Sequence, residues 1–354
     1  MSWSGPVTAA TCLLELGLGL PRERYDEFIV DLVKRELESE PIDLFFASAR
    51  QNELGADAVA SIKALGIPTV LAVWDNILVA HRVKKIASAF DICWVHEPEA
   101  LKTYESYGAR IFHDSVAANP FRYEPTNSPE DVDISFVGQR YGVREWYIEQ
   151  LFEMGIPAEL YGVGWVSSAA GGNPGGQQAR PDLMSSVRHT LASVTHANGR
   201  SWLRAALVHR IRRRKTSPEV QQRMNQHSHP PLPFPGMVDL FSRSKISLGF
   251  NELGHRYRLK KPLYQVRLRD FEGPMSGACY IMYRLPIMQA NYEEDKEMLF
   301  YSSMDELVDK IKFYTDSRQD SARADIKRRA HERSVRDHTW THRFDHLFQS
   351  LGLT

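Results

Sequence analysis

Between residues 42 and 114 the chain switches repeatedly between two hydrophobic periods. Short runs rich in β-branched and aromatic residues, "IDLFFAS", "IPTVLAVW", "FDICWVH" and "ARIFHD", read as strands. Segments with apolar residues at helical spacing, such as "GADAVASIKAL", lie between them. Strands that alternate with helices predict a parallel sheet covered by helices, an α/β domain. After the proline-bearing stretch "NPFRYEPTNSPED" the alternation restarts with "DISFVG", the helical "REWYIEQLFEMG" and "PAELYGVG". The proline stretch reads as a linker. The expected organisation is an N-terminal Rossmann-like domain over 1–125 and a C-terminal one over 126–336, with 337–354 forming a helix that crosses back to the first.

The second domain is interrupted at about 165–235. This segment is opened by "AAGGNPGGQQARP" and closed by "HSHPPLPFPG", and it is too long and too rich in Gly and Pro at its ends for an ordinary connection. It reads as an insertion. The α/β pattern then resumes with "KISLGF", the helix-bearing "RLRDFEGPMSG", the strand "CYIMYR" and the short strand "EMLFYSS". Two Rossmann-like domains in series are expected to face each other across a cleft, with ligands at the carboxyl ends of their strands.

Composition narrows the function classes. At 354 residues and 43% hydrophobic content the chain is long enough for two cores. Lys+Arg and Asp+Glu are both 44, so no global field points to nucleic acid, and any basic function is local. Cys12, Cys93 and Cys279 lie in apolar surroundings without CxxC spacing, which suits buried thiols and a reducing cytoplasm. The apolar run "VTAATCLLELGLGL" lacks the basic leader of a signal peptide, and no stretch is long enough to span a bilayer.

"RLRDFEGPMSG" falls between two strands of the second sheet, so its helix is expected to start at the cleft-facing strand ends. A helix start there offers unpaired N–H groups to an anion. Arg269 adds a bidentate grip on phosphate, and Glu272 suits the paired hydroxyls of a ribose. A structural ion pair is the alternative for these two residues.

The runs "DISFVGQRYGVREWYIEQL", "RLRDFEGPMSGACYIM" and "EEDKEMLFYSSMDELVDKIKFY" resemble the CgeB-type family of glycosyltransferases, related to the broad retaining GT-B group. The similarity spans roughly Asp133 to Phe348 apart from the insertion, and the R-x-F-E element is its most specific part. It implies a GT-B-like fold, a nucleoside-diphosphate-sugar donor bound by the C-terminal domain, and an acceptor bound mainly by the N-terminal one. Arg269 and Glu272 match R-x-F-E, Gly138 matches the glycine of the "FVG" turn, and Glu297 matches the later acidic position. No organic cofactor is implied. The chain departs from the family at its start, where no first strand with a glycine-rich loop precedes "YDEFIVDLVKRELE".

Leaving-group stabilisation is the central demand on such an enzyme, because negative charge develops on the departing diphosphate. Gly138 would let the diphosphate approach the backbone, with Arg140 or Arg144 supplying charge; Lys260 and Lys261 are less specific candidates. Taken singly, these basic residues also read as solvated charges. Asp75 and His113, at strand ends of the first domain beside Asn76 and Asp114, are candidates to orient or deprotonate an acceptor hydroxyl, and equally read as helix caps.

Two metal-like patterns are read as structural. Asp131 and Asp133 form a DxD that precedes a strand instead of ending one, and His338, His342 and His346 fall at i, i+4 and i+8 without an HExxH. Within the insertion, "GRSWLRAALVHRIRRRKTSPEV" has the pattern of a basic amphipathic helix over 200–215. It suits an anionic membrane carrying lipid-linked acceptors, or a helix covering the sheet with its arginines in water. The expected partners are a nucleotide-sugar and a glycan or lipid-linked acceptor, and the expected location is cytoplasmic, peripheral on the membrane's inner face.

Overall fold

The computed structural model describes residues 22–166, 216–253 and 262–353. They form two units, one running up to Ser115 and resuming at Phe344, the other spanning Val116–Arg343.

In the first unit, strands β1 (Phe45–Ala47), β2 (Thr69–Ala72), β3 (Ile92–Val95) and β4 (Ile111–His113) pair in chain order, all parallel. Every residue of β2 and β3 is buried. Their unbroken apolar runs are what a parallel sheet covered on both faces requires. Helix Ala56–Lys63 turns Ala58, Val59 and Ile62 inward, and Ile62 joins Val33 of helix Arg22–Ser39 in one apolar cluster. The described residues begin with that helix, so the departure noted at the chain start lies outside them.

The second unit holds six parallel strands: β5 (Val132–Val137), β6 (Glu159–Tyr161), β7 (Ser228–His229), β8 (Ser244–Leu248), β9 (Tyr280–Tyr283) and β10 (Leu299–Tyr301). Their order, β10-β9-β8-β5-β6-β7, reverses direction of winding between β5 and β8. This is the doubly wound arrangement, whose ligands as a rule bind in the crevice beyond the carboxyl ends of the two strands at the switch point. Helix Met304–Thr315, after β10, begins with reciprocal caps. Ser303 Oγ accepts from Glu306 N at 3.1 Å, and the Glu306 carboxylate accepts from Ser302 N at 2.8 Å.

Three boundaries differ from the sequence reading. The interruption ends sooner than residue 235, because helix Pro218–Gln226 packs on helix Gly142–Glu153 and β7 extends the sheet beside β6. β7 has only two residues, too few for an alternation of apolar and polar positions to show. The linker belongs with the second unit, where Asp239 Oδ1 accepts from Thr126 Oγ1 at 2.9 Å and from Ser128 Oγ at 2.6 Å. The last helix is Trp340–Leu351, so His338 lies outside it and the three histidines do not share a helical face. Burial lowers the pKa of the His338 imidazole to about 4, while His346 Nδ1 contacts Asp114 Oδ2 at 2.9 Å. Cys93 and Cys279 are free and buried, with burial pushing each thiol up to about 12; Cys12 lies outside the described residues.

Candidate active site

The ends of β5 and β8 carry an unusual number of buried polar atoms without partners. Arg144, in the first turn of helix Gly142–Glu153, turns its guanidinium over the rings of Tyr141 (4.5 Å) and Phe136 (5.6 Å). Its Nη1 donates a long hydrogen bond, 3.4 Å, to the Gln139 carbonyl, and its Nε has no partner among the described residues. Arg267 donates from Nε to the Phe250 carbonyl at 3.0 Å and leaves one Nη buried and unpartnered. Burial, followed by the nearby charge of Arg267, lowers the pKa of Arg144 to about 10. The two guanidiniums have no directly bonded carboxylate among the described residues. An anion bound there would meet donors already desolvated and aimed.

A buried network holds this arrangement. Asp270 accepts from Asn251 Nδ2 (2.6 Å), from the Arg267 backbone N–H (2.7 Å) and from Tyr280 Oη (3.1 Å). Burial pushes the Asp270 carboxyl up to about 6, so it is ionised at neutral pH. Asn251 Nδ2 also donates to the Gln265 carbonyl at 3.0 Å, which leaves its Oδ1 buried and without a partner. The Tyr280 ring lies against the backbone at Gly249, where a Cβ would meet its hydroxyl at 2.6 Å.

Glu252, one residue further on, is 3% exposed. Its Oε2 accepts a 3.5 Å bond from Tyr147 Oη and its Oε1 has no partner among the described residues. Tyr147 stacks on Phe250 at 4.8 Å, and Tyr264, whose backbone bridges to that of Glu252, stacks on Tyr283 at 4.2 Å. Burial in these aromatic surroundings raises the Glu252 carboxyl to about 8.

Arg269 and Glu272 open the seven-residue helix Arg269–Met275, anchored by the fully buried Phe271, whose burial contributes about 1.5–3 kcal/mol. They pair with each other. Glu272 Oε1 also accepts from Tyr123 Oη at 2.5 Å. Three of the expected free N–H groups are already spent. Asp270 N donates to the Arg267 carbonyl, and Phe271 N and Glu272 N both donate to that of Leu268. So short a helix closes its first turn at once, and side chains rather than backbone make up the donor surface.

The other sequence candidates are distributed as follows. Gly138 uses its N–H, its only donor, on the Tyr161 carbonyl (2.9 Å), so it is not left for a phosphate, while its carbonyl accepts from Trp165 Nε1 (2.7 Å). What needs a glycine there is the close approach of two side chains, since a Cβ at 138 would lie 2.9 Å from both Arg144 Nη1 and the Phe136 ring. Arg140 is spent on Glu145 Oε1 at 2.8 Å. Glu297 lies just before β10, and its carboxylate caps the Glu293 N–H at 2.8 Å. Asp131 and Asp133, where β5 begins, pair with Arg243 at 2.6 Å and Lys245 at 2.7 Å. Lys260, Lys261 and the basic segment 200–215 lie outside the described residues. In the first unit, Asp75 takes a left-handed conformation (φ 59°) before helix Asn76–Val79, and His113 ends β4 with Nδ1 2.8 Å from the Val95 carbonyl. Asn76 is structural, bonding the Val73 carbonyl, Tyr104 Oη and His96 N.

Sequence reasoning passed over Arg267, Asn251, Glu252, Asp270 and Tyr123. Arg267 stood in the segment that gave Arg269, but nothing in its spacing marks which of two nearby arginines is spent on a carboxylate and which keeps a buried nitrogen without a partner among the described residues. A substitution tests the Gly138 assignment: Gly138→Ala should displace the Arg144 guanidinium and weaken nucleoside-diphosphate binding by about tenfold or more, with a smaller fall in melting temperature. Calorimetric titration beside a thermal melt reads both, and unchanged affinity would show that Arg144 does not contact the ligand.

Residues 200–349 match a family model described as glycosyl transferase-like. No curated protein matches the chain. Among solved structures, sucrose-phosphate synthase from Thermosynechococcus elongatus is 12% identical at a TM-score of 0.52, covering 94% of this chain and 80% of that one. Anabaena Alr3699/HepE in complex with UDP and glucose is 10% identical at 0.54, covering 92% and 81%. The fold is GT-B. A trehalose-6-phosphate synthase studied for glycosyltransfer with retention aligns at 9% identity and 0.51, covering 93% and 77%. In this GT-B chain the switch point of the second sheet is where Arg144 and Arg267 stand. Among the described residues no group of His, Cys, Asp or Glu is arranged to hold a metal ion, and no helix is long and apolar enough to cross a membrane.

Proposed function

We propose that this protein is a retaining, metal-independent glycosyltransferase that moves a hexose from a nucleoside diphosphate to a glycan, lipid-linked saccharide or surface polymer. The observation that carries the reading is the pair of half-buried guanidiniums, Arg144 and Arg267, at the ends of β5 and β8, each with one buried nitrogen that has no partner among the described residues. They grip the diphosphate and stabilise the charge it acquires as the sugar leaves. Glu272 receives ribose hydroxyls, with Arg269 beside the phosphates. The match of residues 200–349, the UDP and glucose held by the Anabaena relative and the retention attributed to the trehalose-6-phosphate synthase support this reading. So does the R-x-F-E resemblance to CgeB-type enzymes. The first unit is left to the acceptor, with Asp75 and His113 at its strand ends as the groups to orient a hydroxyl.

The test is a panel of UDP-, GDP- and ADP-sugars. One member should raise the melting temperature, since ligand at a hundred times its dissociation constant stabilises the fold by about 2.7 kcal/mol. The same member should be hydrolysed slowly without acceptor, and hydrolysis should survive EDTA. Absence of both binding and turnover across the panel would overturn the donor reading. Loss of turnover in EDTA with rescue by manganese would overturn metal independence alone.

A further inference from the structure

The linker residue Tyr123 is bonded to the carboxylate that the donor reading gives to the ribose. Its hydroxyl donates to Glu272 Oε1 at 2.5 Å, and the other oxygen of that carboxylate holds Arg269. The Glu272 side chain is 8% exposed, so an incoming pair of hydroxyls finds little of it open. The tyrosine is placed by its neighbours. Phe121 N donates to Asn119 Oδ1, and Arg122 N and Tyr123 N donate to the Asn119 carbonyl, which closes a tight turn. The Tyr123 ring meets Phe234 edge to face at 5.1 Å, and the Arg122 guanidinium lies over the same Phe234 ring at 4.2 Å. Three residues on, Thr126 N donates to Ser242 Oγ at 2.8 Å.

We infer that Tyr123 is a further residue of the donor site, its hydroxyl occupying on Glu272 the place that a ribose hydroxyl takes when a nucleoside diphosphate binds. The exchange is chemically even: one neutral O–H leaves a carboxylate oxygen and another replaces it. Displacing Arg269 instead would strip a cation from a buried carboxylate, a far larger penalty. Donor binding thereby releases the 119–123 turn, and the linker senses whether the donor site is filled. The inference rests on the assignment of Glu272 to the ribose.

Tyr123→Phe removes the competing hydroxyl and keeps the ring. Its affinity for the diphosphate that binds best among UDP, GDP and ADP should rise by about fivefold, the worth of one ordinary hydrogen bond near 1 kcal/mol. Affinity for the 2′,3′-dideoxy form of the same nucleotide should not change, because that ligand has no hydroxyl to take the vacated place. In the wild type, hydrogen exchange across 119–125 should become faster on nucleotide binding, a measurement that holds even if the variant folds poorly. Weaker binding by Tyr123→Phe would mean the tyrosine contacts the ligand directly, and equal binding would mean it only packs; either overturns the inference. If none of the three diphosphates binds the wild type, the donor reading itself fails and this inference with it.

Discussion

Arg144→Leu should lower transfer from a nucleotide-sugar by about a hundredfold or more while leaving the fold nearly as stable as before. The first half follows from charge: removing one preorganised donor from a developing anion commonly reduces turnover by about 10²–10³. The second half follows from the setting of the guanidinium. It has no directly bonded carboxylate, one 3.4 Å bond to a carbonyl, and ring contacts at 4.5 and 5.6 Å. Losing those contacts destabilises by about 0.5–2 kcal/mol, and relief of the buried charge offsets a similar amount. Arg267→Leu should reduce transfer comparably, but it strands the Phe250 carbonyl and destabilises by a further 1–3 kcal/mol or so. Steady-state kinetics with a urea titration on each variant separate the two effects. Normal turnover in Arg144→Leu, or a loss that merely tracks unfolding, would remove Arg144 from the leaving-group site.

Glu252→Gln should stabilise the protein, and by more as the pH rises from 5 to 8. The Glu252 carboxyl is raised to about 8 in the folded state, against about 4.3 for an unperturbed glutamate. Between those values the folded protein binds a proton that the unfolded chain has released, so stability falls as pH rises through this window and levels off above 8. Below about pH 4 both states are protonated and the wild type carries no penalty. At pH 7 the penalty is of order 3 kcal/mol, a ceiling that structural relaxation lowers. Glutamine cannot ionise and escapes it. Asp270, raised to about 6, acts in the same direction over a lower window, but it is present in both proteins and cancels from the comparison. Chemical denaturation of both proteins at pH 5 and pH 8 measures the difference. A gap that does not widen with pH would mean Glu252 titrates normally.

The path from sequence to site was uneven, and particular residues show why. Both parallel sheets could be read because β3 and β9 are unbroken apolar or aromatic runs and β2, β5 and β8 are short runs rich in β-branched and aromatic residues, bounded by turns. β7 could not, since two residues carry no period. "RLRDFEG" was placed at the strand ends from its position between two strands, yet its helix proved too short to offer backbone N–H groups. Gly138 stood out as a glycine after a strand, but its reason lies in two side chains that close on it, the Phe136 ring and a guanidinium six residues later in the chain.

Local pattern by itself determined the α/β class, the two-part organisation, and a segment, 267–272, rich in anion-binding and hydroxyl-binding side chains. Those properties depend on hydrophobic period and residue chemistry, which are written along the chain. Only the tertiary structure decided which charges are spent and which are left over. Arg140 and Arg144 look alike in sequence, but one finds Glu145 while the other is buried against two rings beside Arg267. Tyr123 and Glu272 are 149 residues apart and form one hydrogen bond. Burial and pairing depend on contacts between distant segments. A charge becomes available for a ligand only when the folded surroundings desolvate it and supply no partner of their own.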